Sequence, residues 1–126
     1  MTQQLEAKFV NEWLLMNHPN ALQWRRVRLG PLPKVDLSRM FMVTQNWIDA
    51  IFLENDTVYM LEAKLRQESA GIGQLLLYDD LFRQTPEFAQ LKEYPRKLIL
   101  LCFRDIPSVR EQCPKYEIEY VVYRPK

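Results

Sequence analysis

The chain has 126 residues, 48% of them apolar and 26% charged, with a formal net charge of +1. That is the profile of one ordinary globular domain spanning 1–126, without room for two independent cores. Two cysteines and a single histidine exclude a disulfide framework, a zinc cluster, and the metallonucleases that need two or three imidazoles.

The first segment, residues 4–16 (QLEAKFVNEWLLM), has helical periodicity, with Leu5, Phe9, Val10, Trp13 and Leu14 forming an apolar stripe. At about 100° per residue Glu6 falls near the middle of that stripe, so it is expected to point toward the core, while Glu12 falls to one side. Pro19 and Asn20 end the helix, and His18 in the loop-like MNHPN is expected to be exposed, which argues against a serine or cysteine hydrolase triad. The N-terminus resembles neither a signal nor a transit peptide, and no apolar run could span a bilayer, so a cytoplasmic protein in a reducing compartment is expected.

Residues 22–30 (LQWRRVRLG) read as a strand leading into a proline-bounded loop. NWIDAIFLENDTVYMLEAKLR then predicts two strands joined by a turn at Glu54-Asn55-Asp56. Both arms are almost continuously apolar, as in central strands covered on both faces. Residues 68–84 predict a helix whose start is loosened by Gly71 and Gly73, residues 86–94 a short helix, 96–103 a buried strand, 107–113 a helical turn and 116–124 a last strand. The order is that of an α/β domain, a mixed sheet flanked by helices.

Charge is unevenly distributed. Residues 21–40 hold Arg25, Arg26, Arg28, Lys34 and Arg39 against Asp36, whereas residues 49–62 hold Asp49, Glu54, Asp56 and Glu62 and no basic residue. This suits a site that grips a polyanion beside a cation, and equally a plain polar surface. Periodicity places Glu6, Asp49, Glu62, Lys64 and Gln74 inward together. Taken alone, Glu62 and Lys64 could be an exposed ion pair at a strand end; three inward carboxylates demand more compensation than one lysine gives. Oxygen donors without imidazole or thiolate select a hard ion such as Mg²⁺ or Mn²⁺. A metal beside a lysine is equipment for activating water against a phosphodiester. Asp36 rivals Asp49 for the first acidic position, but it lies in the loop rather than against the strand pair.

Ile48-Asp49, thirteen residues before Glu62-Ala63-Lys64, resembles the PD-(D/E)xK nuclease signature, here without its proline. GQLLLY (73–78) is similar to the Q-xxx-Y motif of the RecB-like and phage branches, and EAKFVNEWL to the first-helix glutamate segment of archaeal Holliday junction resolvases. The resemblance implies a restriction-endonuclease-like αβββαβ core and a small Mg²⁺-dependent DNA endonuclease with no organic cofactor. Asp49, Glu62, the Ala63 carbonyl and Glu6 would hold the metal, and Lys64 would handle the attacking water. Gln74 would position the lysine or the DNA backbone. Arg25, Arg26, Arg28, Lys34, Arg66 and Tyr78 are the candidate DNA contacts, with Arg26 and Arg28 on one strand face and Arg25 on the other. So short a chain favours structure-selective cutting of junctions, flaps or ends, and cutting both strands calls for a homodimer. The alternative is an inactive DNA-binding or assembly module of the same fold.

Overall fold

The computed structural model describes residues 2–31 and 46–125; Lys34 and its neighbour Asp36 lie outside them. Helix α1 (Thr2–Asn17) leads into three strands, β1 (Leu22–Arg28), β2 (Trp47–Glu54) and β3 (Thr57–Lys64). Helix α2 (Glu68–Phe82) and a 3-10 turn (Pro86–Leu91) connect to β4 (Arg96–Cys102). Helix α3 (Pro107–Gln112) and a second 3-10 turn (Cys113–Tyr116) connect to β5 (Ile118–Val122). The strands form one sheet in the order β1-β2-β3-β4-β5, antiparallel across β1, β2 and β3 and parallel across β3, β4 and β5. Parallel neighbours need a long crossover, and the two helical connections supply it.

The β2–β3 hairpin closes on Asn55 and Asp56, both left-handed at φ 52° and 58°. A two-residue turn with both centres at positive φ matches the twist of the flanking strands, and Asn and Asp tolerate that conformation best after glycine. Apolar strand faces then split between two layers. Val10, Trp13 and Leu14 of α1 cover Ala50, Phe52, Leu61, Ala63, Ile99 and Leu101. Ile72, Leu75, Tyr78 and Phe82 of α2, with Phe88, Val109 and Cys113, cover Ile51, Val58, Met60, Leu98 and Leu100. The continuous apolar runs of β2, β3 and β4 are therefore two interleaved faces, each buried.

Three expectations change. Leu5 is 46% exposed and leaves the apolar stripe, because α1 touches the sheet mainly through its later turns. His18 is half-buried, its Nδ1 2.8 Å from Glu54 Oε1 and its ring packed among Trp13, Phe52 and Tyr59. The glycines do not loosen the start of α2, which runs unbroken through both of them from Glu68. Cys102 and Cys113 are free and buried.

A buried hydroxyl ties the exit of β1 to the end of α2. Thr85 accepts from the Gly30 amide at 2.8 Å and donates to the Leu81 carbonyl at 2.8 Å. Gly30 has φ 118°, a conformation that a side chain would strain. Thr85→Val keeps the shape and leaves the Gly30 N–H without its acceptor; it should cost about 1–3 kcal/mol in urea denaturation, and Thr85→Ser clearly less.

Candidate active site

The site forms where the β2–β3 ladder stops. Their pairing runs from Glu54↔Thr57 back to Ala50↔Leu61. One residue further, side chains take over from the main chain. The Ala63 amide donates to Asp49 Oδ2 at 2.8 Å, and the Asp49 amide donates to Glu62 Oε1 at 3.3 Å. Each acidic side chain thus satisfies a backbone donor on the opposite strand.

Strand alternation breaks at the same place. Ile48 and Ile51 belong to one core layer although three residues apart, so the two-residue period fails between them. On β1, Trp24 and Val27 likewise pack on one layer, and Arg26 between them has φ 51°. The pairs Arg25↔Ala50 and Val27↔Ile48 set Arg26 opposite Asp49. A left-handed arginine inside a strand is strained, and such strain persists only where the surroundings impose it. The paired kink opens a cleft of about 510 Å³.

Asp49, Glu62, Lys64, Gln74, Tyr78, Glu6, Arg26 and Arg66 all line that cleft. Arg25 borders a smaller recess on the α1 side of Asp49, where its guanidinium donates to Asn11 Oδ1. Arg28 does not reach the cleft and points to the Pro31 carbonyl at 3.4 Å. The expected sharing of one face by Arg26 and Arg28 fails because the left-handed turn at Arg26 resets the alternation. Gln3, Trp47 and Gln67 also line the cleft. Spacing could have shown two of them: Gln3 stands three residues before Glu6 on α1, and Trp47 two before Asp49 on β2. Gln67 carries no such signal.

The charges act on one another. Glu62 is 5% exposed, and burial, then the Asp49 charge and its hydrogen bond, push its carboxyl up to about 9. Lys64 Nζ, 3.6 Å from Glu62 Oε2, opposes that rise without cancelling it. Glu6 is raised by burial, offset in part by the Leu65 amide that donates to its Oε2 at 2.9 Å. Tyr78 is raised by burial and by the charges of Glu62 and Asp49, so it stays protonated and donates to the Trp47 carbonyl at 3.1 Å. This bond holds β2 two residues before Asp49.

Two facing carboxylates in a buried cleft share a proton or hold a cation. The donors are oxygens, which fit a hard divalent ion. A second feature fits as well: Gln74 Oε1 is buried and has no hydrogen-bond partner among the described residues. Among the described residues no three His, Cys, Asp or Glu side chains converge closely enough to enclose an ion by themselves. Water, main-chain oxygens or a substrate phosphate would complete any coordination sphere.

No family model matches this sequence, and no curated protein does. Among solved structures, the crystal structure of a repair endonuclease from Pyrococcus abyssi is similar, with a TM-score of 0.61 and 14% identity. The match covers 98% of this chain and 47% of that one, so this chain spans about half the length of its structural neighbour. At that identity the likeness is one of fold. The α/β architecture with a mixed sheet is therefore shared with a repair endonuclease. No described helix is long and apolar enough to cross a membrane.

The raised Glu62 carboxyl fixes the sign of a pH effect. Folded, the group releases its proton near 9 rather than near 4.5, so between those values the native state binds more protons than the unfolded one. Its contribution to stability is complete below about 4.5 and is lost as pH rises through 9. Glu62→Gln should flatten this decline and be more stable than wild type at pH 9 by on the order of 1–3 kcal/mol, read from denaturation at pH 5 to 9.

Proposed function

We propose that this chain is a metal-dependent deoxyribonuclease domain of the PD-(D/E)xK type, hydrolysing phosphodiester bonds with Asp49, Glu62 and Lys64. The observation that carries this reading is the pairing of the Asp49 and Glu62 carboxylates across the broken ladder, with the Lys64 ammonium 3.6 Å from Glu62. The shared fold with a repair endonuclease supports it.

Asp49 and Glu62, with the Ala63 carbonyl, would hold Mg²⁺ or Mn²⁺. When bound, such an ion lowers the pKa of a coordinated water and offsets charge on the phosphoryl oxygens. Lys64 orients the attacking water and donates to a non-bridging phosphate oxygen. Gln74 Oε1 supplies an acceptor for that water or for the ammonium. Glu6 anchors the end of β3 by accepting from the Leu65 amide and would complete the acidic shell around such an ion, directly or through water. Arg26 and Arg66, on the rim of the cleft, meet flanking phosphates, and a contact of Tyr78 with DNA is secondary to its bond to Trp47. Cleavage of both strands of a junction, flap or end would be served by two copies acting together.

Plasmid, single-stranded and branched DNA incubated with Mg²⁺ or Mn²⁺ should be cut, and chelation should stop the cutting. Asp49→Ala, Glu62→Ala and Lys64→Ala should each lower the rate roughly a thousandfold or more, equivalent to the several kcal/mol such groups supply. Gln74→Ala should lower it about ten- to a hundredfold, as outer partners of metal sites do. Mn²⁺ should raise the melting temperature of the wild type and not of Asp49→Ala. Undiminished cutting by the Lys64 or Asp49 variant would overturn the assignment.

A further inference from the structure

We infer that Gly71 is a positioning residue for the Lys64 ammonium, an inference that rests on the reading of Lys64 given above. Gly71 is buried one turn into α2 and carries no positive φ, so its backbone does not require glycine. Glycine destabilises a helix interior relative to alanine, so a chain built for stability alone would favour alanine here. Space forbids it. A Cβ at this position would stand 2.4 Å from Leu100 Cδ1 and 3.2 Å from Lys64 Cγ. Gly73, two residues on, makes the contrast: a Cβ there would meet nothing within 4 Å.

The register explains the crowding. Glu62 pairs with Leu100 and Lys64 with Cys102, and the α2 backbone at Gly71 lies over this patch of β3 and β4. The helix is held down on both sides of Gly71. Glu68, 4% exposed, receives the Arg104 guanidinium at 2.7 and 3.3 Å. Ile72, Leu75 and Tyr78 are buried in the core beneath. Leu100 fills the room that a methyl group would take, and the Lys64 stem lies beside it close enough that the methyl would press on its Cγ. From there its Nζ reaches Glu62 Oε2 at 3.6 Å. Gly71 sets how deeply the lysine can lie, and so where its ammonium stands relative to the two carboxylates.

Gly71→Ala alone could fail to fold, so the test pairs it with Leu100→Ala, which removes the closest clash and leaves the one with Lys64. Melting temperature, DNA cleavage and the NMR signal of the Lys64 side chain, assigned by its loss in Lys64→Ala, are compared. Gly71→Ala/Leu100→Ala should melt no lower than Leu100→Ala, since the new methyl fills part of the space vacated. Its cleavage rate should nevertheless be about tenfold or more below that of Leu100→Ala, because sub-ångström misplacement of a reacting group is costly. Its Lys64 signal should move relative to Leu100→Ala. Gly73→Ala should keep both the wild-type rate and the wild-type signal. A double variant whose rate and Lys64 signal match those of Leu100→Ala overturns the inference. Should the wild type cut no DNA, the nuclease reading falls separately. The Lys64 signal then decides alone: moved, Gly71 places the ammonium; unmoved, it does not.

Discussion

The structure turns on one exchange of hydrogen bonds. At the end of the β2–β3 ladder, Asp49 and Glu62 take the amides of Ala63 and Asp49 that a regular pair of strands would have bonded to main-chain oxygens. The backbone remains satisfied, which a buried sheet requires. The cost is two carboxylates held together away from water, with one lysine nearby. A cluster of that kind favours any ligand that brings positive charge, and the cleft around it is shaped by the same break in the ladder.

The two helical layers hold the break open from opposite sides. From α1, Glu6 reaches across to the Leu65 amide and fixes the end of β3. From α2, Tyr78 fixes the start of β2 through the Trp47 carbonyl, and Gly71 lets the helix sit close over Lys64. Arg26 closes the third side with a left-handed kink opposite Asp49. A larger cleft of about 850 Å³ lies between the end of α2 and the starts of β4 and β5, but there the Arg96 guanidinium already neutralises Asp79 in a direct ion pair. Desolvated, facing carboxylates set the first cleft apart.

Most of the architecture was legible because it is written in short-range patterns. The apolar runs of 47–54, 57–64 and 96–102 exceed what a half-exposed strand carries, and they form the three inner strands. Asn55-Asp56 marked the hairpin because few other residue pairs accept two left-handed centres. Within the site, Glu62 and Lys64 stand side by side because a strand alternates every two residues, and Gln74 and Tyr78 because a helix repeats every 3.6. Where those periods fail, inference from spacing failed too. Alternation groups Arg28 with Arg26, yet the kink at Arg26 turns it away from the cleft. Helical spacing places Leu5 in the apolar stripe of α1, yet α1 covers the sheet through Val10, Trp13 and Leu14 and leaves Leu5 exposed.

The sequence by itself determined the elements, their order and the polar and charged groups that β3 and α2 would present. Those are consequences of local stereochemistry, in which neighbours a few residues apart decide the outcome. Tertiary structure alone decided that Glu6 would meet Leu65 across 59 residues and that His18 would lie among aromatic rings. It alone decided that Arg26 and Asp49 would bend two strands together, and that a Cβ at Gly71 would press on Leu100 and Lys64. Each of these depends on the distance between surfaces that only packing brings together, and no periodicity along the chain encodes that distance.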